Sequence, residues 1–255
     1  MYQKKLDSFF IKERPFTIQE VAKALSFTRS QAAKVLYRLK NQGHILHLKN
    51  GVYFPVSHKG LTPEESFGDP WVIVPTLFPD AYVGGWTAAH YWGLTEQLFR
   101  TTVLMKKGVI HHTCIKIVHF EYYLFRINNR EDFGEEKIWK EHIQVPISDV
   151  HKTMVDMIEN PTCGAGIQNT IDCFKVYLRE YYDEPTFSEY SKKIKNGSYF
   201  KRLGYLSEVL LGGHHSLCVL AKDLITKNYT PIDPHISCKK LITKWNLYIS
   251  EDITI

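Results

Sequence analysis

The chain of 255 residues is 44% apolar and 23% charged, a composition typical of a globular protein with a hydrophobic core and not of a disordered or fibrous one. No stretch approaches the roughly 18 to 20 apolar residues of a membrane-spanning helix, and the first residues lack the apolar region of a secretory signal. The five cysteines are scattered and form no CxxC pair, which argues against a disulfide framework. We therefore expect a cytoplasmic protein with reduced thiols and no membrane partner.

The positive charge of the chain is concentrated in its first fifth. Residues 1–56 contain ten Lys and Arg against three acidic residues, for a net charge of +7, whereas the rest of the chain has 22 against 24, for a net charge of −2. This asymmetry is typical of a nucleic-acid-binding module joined to a second domain. A solvated basic surface without a partner is the alternative interpretation.

The apolar pattern at the N-terminus predicts two short helices. Residues 3–11 have apolar side chains at helical spacing, and Pro15 disfavours a helical conformation at the residue before it. Thr17 and Glu20 have the spacing of a capping box, in which each side chain hydrogen-bonds the backbone N–H of the other. The second helix is therefore predicted to begin directly after Thr17 and to place its apolar residues in a core.

A third helix is predicted to begin after Thr28, a good capping residue, and to end at Gly43. Its apolar residues, at positions 32, 35, 36 and 39, form one stripe that is expected to be buried. The opposite side carries basic, small and aromatic residues and no acid, as expected of a helix that enters the major groove of DNA; an ordinary solvated face is the alternative. Lys34, Arg38 and Lys40 are expected to hold phosphates. The residues of this helix predicted to contact DNA are Arg29, Ser30, Gln31, Lys34, Tyr37 and Arg38.

Apolar runs at 44–48 and 52–55 flank Asn50-Gly51, the strongest short signal for a β-hairpin. Three helices followed by a hairpin are the arrangement of a winged helix-turn-helix module, which we place at residues 1–56. Lys49 and Asn50 would lie at the tip of the wing, where we predict that they contact the DNA backbone or the minor groove.

The rest of the chain is predicted to complete an α+β fold. Residues 57–68 are predicted to form a linker, residues 69–147 a mixed region with mostly antiparallel strands, and residues 148–255 a helical region with an extended tail packed as a strap. Residues 79–85 are expected to interrupt the chain between two helices. The predicted strands are 101–105, 115–120, 122–127, 137–140 and 142–147. The predicted helices are 71–78, 86–94, 149–159, 166–182, 187–194, 199–211 and 216–226.

The sequence contains no Walker A, GxGxxG, GxSxG or HExxH motif. Zinc-ligating residue types cluster on one loop and one strand (His111, His112, Cys114 and His119), whereas zinc sites usually draw paired ligands from two parts of a fold. We therefore predict no bound metal and no cofactor.

A nuclease carrying a winged-helix targeting module is a rival interpretation. Asp80 and, much later, Glu135, Glu136 and Lys137 loosely resemble the carboxylate–carboxylate–lysine arrangement that binds catalytic magnesium. Metal-assisted hydrolysis needs ligands that converge, and charged surface loops explain these residues equally well. We therefore predict a non-catalytic protein.

Four stretches of the sequence match the pattern of one family: residues 49–55, 81–94, 147–158 and 202–206. The third contains Lys152, Thr153 and Asp156, and the fourth fits a helix near the C-terminus. On these stretches, nearly the whole chain resembles the AbiEi family of antitoxins and transcription regulators from type IV toxin–antitoxin (abortive infection) systems, although Lys152 stands where arginine is common in that family.

The resemblance implies a non-catalytic protein with two roles. The N-terminal module would bind the promoter operator of its own operon and repress it. The C-terminal part would oppose a nucleotidyltransferase-like toxin encoded beside it, with or without direct contact. Besides the nuclease, two alternatives stay open: a ligand-responsive winged-helix regulator without a toxin partner, and a winged helix that binds protein.

Overall fold

The computed structural model describes residues 9, 14–49, 51–56, 68–127 and 132–254. Its architecture is mixed α/β, in agreement with the α+β prediction. No helix in these ranges is long and apolar enough to cross a membrane. The chain divides into two compact units, one comprising 1–82, 100–124 and 137–146, the other 83–99, 125–136 and 147–255.

Three of the predicted features fall on residues that are not described. The helix over residues 3–11, apart from Phe9, lies outside the described ranges, as do Asn50 and residues 57–67 of the linker. The segment boundaries proposed from the sequence therefore stay a prediction.

Two helices and a three-stranded sheet form the described N-terminal part of the chain. The elements are β1 (Phe16–Thr17), α1 (Ile18–Leu25), α2 (Arg29–Asn41), β2 (Ile45–Lys49) and β3 (Val52–Pro55). β3 pairs antiparallel with both β1 and β2, so the strand order is β1-β3-β2. The hairpin prediction is confirmed, whereas the two-residue β1 is too short to show an alternating pattern in the sequence.

Apolar side chains from these elements share one core. Val35 of the predicted stripe lies at its edge, only partly buried, whereas the other three stripe residues are buried. The buried members are Phe9, Phe16, Ile18, Val21, Leu25, Ala32, Leu36, Leu39 and Ile45. Burial of this stripe fixes which side of α2 faces solvent.

Both helices begin with a capping box. In α1 the Thr17 hydroxyl accepts from the Glu20 N–H, and the Glu20 carboxylate accepts from the Thr17 N–H at 2.7 Å. This prediction is confirmed. In α2 the Thr28 hydroxyl accepts from the Gln31 N–H, and Gln31 Oε1 accepts from the Thr28 N–H at 2.9 Å. The Thr28 cap is as predicted, whereas the return bond to Gln31 was not expected from the sequence.

Arg14 also binds Glu20, at 2.7 Å, which makes the α1 cap sensitive to pH. Burial acts to raise the pKa of the Glu20 carboxyl, but the hydrogen bonds from Arg14 and Thr17 outweigh it and leave the pKa lowered. Its stabilising contribution is therefore present above the ordinary glutamate pKa of the unfolded chain and is lost as pH falls through the folded-state value.

We expect the difference in unfolding free energy between wild type and Glu20→Gln to be below about 1 kcal/mol at neutral pH, because the ion pair is partly exposed. It should shrink toward zero between about pH 5 and pH 3. Urea denaturation across this range measures the difference. A difference that does not change with pH would contradict the charged role of Glu20.

A six-stranded sheet follows in the order β6-β7-β5-β4-β9-β8. Its strands are β4 (Ala81–Val83), β5 (Thr101–Lys106), β6 (Cys114–Ile117), β7 (Phe120–Arg126), β8 (Glu135–Lys140) and β9 (Ile143–Ser148). The five predicted strands are confirmed within a few residues. The prediction that residues 79–85 only interrupt the chain is wrong, because β4 forms there. The sheet is also mixed, since β4 pairs parallel with β9 while β6 pairs antiparallel with β7.

Most predicted helices are confirmed. The exception is residues 71–78, where a 3-10 turn (Pro70–Ile73) precedes a short helix, because Pro75 cannot donate a backbone hydrogen bond. The helices are α3 (Val74–Leu77), α4 (Gly85–Tyr91), α5 (Val150–Glu159), α6 (Ile167–Glu180), α7 (Glu184–Lys192), α8 (Gly197–Leu211) and α9 (Ser216–Leu224).

The family-like residues of α5 are buried in the second unit. Lys152 Nζ lies 2.9 Å from Asp156 Oδ1, and these side chains are only 4% and 2% exposed. The same Nζ lies 4.3 Å from the centroid of the Phe133 ring. Thr153 Oγ1 donates to the Asp149 carbonyl at 2.7 Å. These residues therefore stabilise the fold and present no outer surface.

The C-terminal tail is not only the predicted strap. It forms a small sheet from β10 (Thr230–Pro231), β11 (Lys240–Ile242) and β12 (Leu247–Ile249), with β12 between the other two. The fully buried Trp245 lies against Gly204 of α8, and its indole N–H donates to Glu208. The tail is thus anchored by a large aromatic residue.

Candidate nucleic-acid interface

The exposed side of α2 and the hairpin strands border an open groove. Its volume is about 670 Å³. We call it the basic groove, and define it by Ser30, Ala33, Lys34, Tyr37, Arg38, Lys40, His47 and Tyr53. The first six of these residues lie on α2, and the last two lie opposite each other on β2 and β3.

The helical repeat of α2 explains which side chains reach the basic groove. Residues three and four apart lie on the same helix face, so Ser30, Lys34 and Tyr37 form one exposed line. The opposite line is buried in the core, which leaves α2 no freedom to rotate. Tyr37 is 66% exposed. An aromatic ring and a lysine therefore lie on the same exposed helix face, and both line the groove.

The electrostatic character of the basic groove is positive. Lys34, Arg38 and Lys40 line it, and none of the eight lining residues is acidic. The acid of the neighbouring helix, Glu20, is engaged by Arg14. Arg38 and Lys40 also lie in the last turn of α2, where the helix dipole favours cations. The positive charge is thus built into a stable helix.

The hairpin supplies the other wall of the basic groove. The His47 and Tyr53 rings are 5.0 Å apart between centroids, and Tyr53 also stacks on the buried Phe16 at 6.2 Å. Partial burial raises the pKa of the Tyr53 hydroxyl, so it stays protonated and able to donate near neutral pH. Neither residue is among those predicted from the sequence. A bulge between His47 and Lys49 shifts the strand pairing by one residue and places His47 opposite Tyr53, and no pattern in the sequence signals this shift.

Five of the nine positions predicted to contact DNA line the basic groove, namely Ser30, Lys34, Tyr37, Arg38 and Lys40. Arg29 and Gln31 are exposed at the start of α2 but do not line the basic groove. Lys49, at the end of β2, is exposed and lines a different pocket. Asn50 lies outside the described residues.

Gln31 is already engaged within α2. Its Oε1 accepts from both the Thr28 N–H, at 2.9 Å, and the Thr28 hydroxyl, at 3.2 Å. Bidentate recognition of adenine by glutamine uses its oxygen as well as its nitrogen. Gln31 would therefore have to leave the cap in order to recognise a base in that way.

Neither the zinc-ligating residue types nor the carboxylates of the nuclease interpretation form a metal site in the described part of the chain. No group of three or more His, Cys, Asp or Glu that could hold a metal ion occurs there. Asp80, the first carboxylate of the nuclease interpretation, lies 3.9 Å from Lys106. An ion pair of this kind is an ordinary surface feature and does not favour a catalytic role.

No protein-family model matches the sequence, and no curated protein matches it either. The structure is similar to the crystal structure of the RV2827C protein from Mycobacterium tuberculosis, with a TM-score of 0.56 over 97% of this chain and 91% of that chain. Only 11% of the aligned residues are identical. The similarity therefore shows that the two chains share a fold over nearly their whole lengths.

Proposed function

We propose that the protein is a DNA-binding transcriptional regulator whose N-terminal part is a winged helix-turn-helix module. In this assignment α1 and α2 are the helix-turn-helix pair, α2 is the recognition helix, and β1–β3 form the wing. The observation that carries the proposal is the exposed side of α2, which has no acidic residue and borders the basic groove. The net charge of +7 in residues 1–56 supports it.

The geometry suits recognition in the major groove, which admits one α-helix. Ser30, Lys34 and Tyr37, on the outermost line of α2, would face base edges, so we reassign Lys34 from the phosphate contact expected from the sequence to base recognition. Arg38 and Lys40 would contact phosphates, which fix the register of the protein on the duplex. The hairpin would place His47 against the backbone beside the helix.

Lys40→Ala should weaken binding to specific and random duplexes alike, because Lys40 would contact a phosphate, and should reduce the slope of log K against log salt by about one. Fluorescence anisotropy over a salt series measures both quantities. The matched control is Lys222→Ala, which removes an exposed lysine from the last turn of α9 in the second unit. Equal slopes for the two variants would contradict the assignment.

The direct test compares binding to the DNA upstream of the gene with binding to a shuffled duplex of the same composition. Sequence-preferring binding with a steep salt dependence is expected. Weak and equal binding to both duplexes would overturn the proposal and favour the protein-binding alternative.

The resemblance to AbiEi proteins extends the proposal to an autorepressor and antitoxin that opposes a nucleotidyltransferase-like toxin. This extension is supported by the sequence motifs and not by a site in the structure. It predicts that a gene for such a toxin lies next to this one and that co-expression of this chain restores growth. A neighbouring toxin that stays lethal in the presence of the chain would overturn the antitoxin role and leave the DNA-binding proposal standing.

A further inference from the structure

A second, smaller pocket lies within the first unit. It is formed by residues of α3 and β5–β7, by the loop between β5 and β6, and by Lys49 at the end of β2. Its volume is about 240 Å³. Pockets for drug-sized ligands begin at about 300 Å³, so a small molecule is the occupant that fits.

The inner lining of this pocket is apolar. Three of its side chains are well buried, with Phe78 at 7%, Ile117 at 2% and Leu124 at 5% exposure. Contact with such a surface favours the apolar part of a ligand, because apolar area is then removed from water. The apolar lining residues are Leu77, Phe78, Val109, Ile110, Ile115, Ile117 and Leu124.

The polar lining of the pocket is rich in nitrogen donors. It consists of Lys49, Lys106, His111 and His112, and no acidic residue lines the pocket. Asp80 reaches Lys106 from outside the lining, at 3.9 Å, which is longer than a strong charge-assisted hydrogen bond. An anionic group on a ligand would therefore find several donors.

We propose that this pocket binds a small organic carboxylate with an apolar body, and that its occupancy weakens DNA binding. The carboxylate would bind among the lysines and histidines while the apolar body covers Phe78 and Ile117. Lys49 lines the pocket and also lies at the end of strand β2 of the hairpin. An anion bound in the pocket would therefore draw the positive charge of Lys49 away from DNA. This second step rests on the proposed function, whereas the first does not.

Isothermal titration calorimetry of the full chain with octanoate tests the pocket without DNA. Two further probes separate the contributions of the charge and of the apolar body to octanoate affinity. Octanamide keeps the apolar body but lacks the charge, and acetate keeps the charge but lacks the apolar body. We expect saturable octanoate binding, with octanamide weaker by about tenfold or more and acetate not measurable. Equal affinity for octanoate and octanamide, or no saturation with octanoate, would overturn the proposal.

A variant that fills the pocket locates the binding site. Ile115→Trp places a larger side chain in the lining, and Ile236→Trp is the matched control on an exposed isoleucine in the second unit. Octanoate binding should be lost in the first variant and kept in the second. If Ile115→Trp does not fold, Lys106→Gln should lower octanoate affinity while leaving octanamide affinity unchanged. Full octanoate affinity in the folded pocket variant would show that the ligand binds elsewhere.

The coupling to DNA is measured by anisotropy with and without saturating octanoate. DNA affinity should fall for the wild type and stay constant for the pocket variant. Octanoate binding without an effect on DNA affinity would overturn the proposed coupling, but the assignment of the pocket as a carboxylate site would stand. A protein that does not bind DNA at all would overturn the proposed function, yet the calorimetry would still decide whether the pocket binds carboxylates.

Discussion

Asp156→Ala is expected to destabilise the folded protein by about 3–5 kcal/mol, because it removes one partner of a buried, hydrogen-bonded ion pair. Lys152 is only 4% exposed and cannot reach water without local rearrangement. Its contact with the Phe133 ring offers less stabilisation than an ion pair with a hydrogen bond. Urea denaturation followed by circular dichroism measures the loss.

A surface pair in the same unit is the matched control. Lys193 Nζ lies 2.8 Å from Glu189 Oε1 with the same four-residue spacing, but the glutamate side chain is 65% exposed. Glu189→Ala should therefore cost less than about 1 kcal/mol. The double variant Lys152→Met/Asp156→Leu should recover much of the stability lost in Asp156→Ala, because it removes both buried charges. Similar losses for Asp156→Ala and Glu189→Ala would show that the buried pair is not a stabilising contact.

Gly204→Ala is the second change with a large expected effect. A Cβ at this position would overlap the indole ring of Trp245, which is fully buried and cannot move without opening the C-terminal tail. Alanine gains up to about 1 kcal/mol of helix propensity over glycine, but overpacking against a rigid ring should outweigh it. We expect a net loss of about 3 kcal/mol, read as a lowered urea midpoint.

Gly68→Ala is the matched control, because a Cβ there meets nothing within 4 Å. It should be neutral or stabilise by up to about 1 kcal/mol through a less flexible unfolded chain. Trp245→Ala should relieve the clash. The stability lost in the Gly204→Ala/Trp245→Ala double variant should therefore be smaller than the sum of the losses in the two single variants. Additive losses would mean that Gly204 and Trp245 do not contact each other.

Local signals in the sequence predicted much of the fold. Thr17 with Glu20, and Asn50 with Gly51, are pairs whose effect depends on neighbours only a few residues away, so the α1 cap and the hairpin follow from the sequence alone. The buried stripe of α2 follows from helical spacing in the same way. The groove-facing residues Ser30, Lys34 and Tyr37 could therefore be identified by exclusion from the core.

Contacts between distant segments could not be predicted. β1 and β4 are two and three residues long, and each exists because a partner strand supplies hydrogen bonds. The tail sheet depends on Trp245 finding Gly204, some forty residues earlier in the chain. His47 and Tyr53 become candidate site residues only when the hairpin folds beside α2. No single-sequence pattern carries such pairings, since they are fixed by tertiary packing.

At the start of α2, the residues that stabilise the helix through the capping box are different from those that could recognise a DNA sequence. Gln31 is tied to Thr28, while Ser30, Lys34 and Tyr37 point away from the cap and the core. Variation at these three positions could redirect the protein to new operators without loosening the helix. Position 31, by contrast, keeps the return hydrogen bond of the capping box only with glutamine or glutamate, and glutamate would place an acid beside the DNA. A library aimed at altered specificity should therefore randomise 30, 34 and 37 and leave 28 and 31 unchanged.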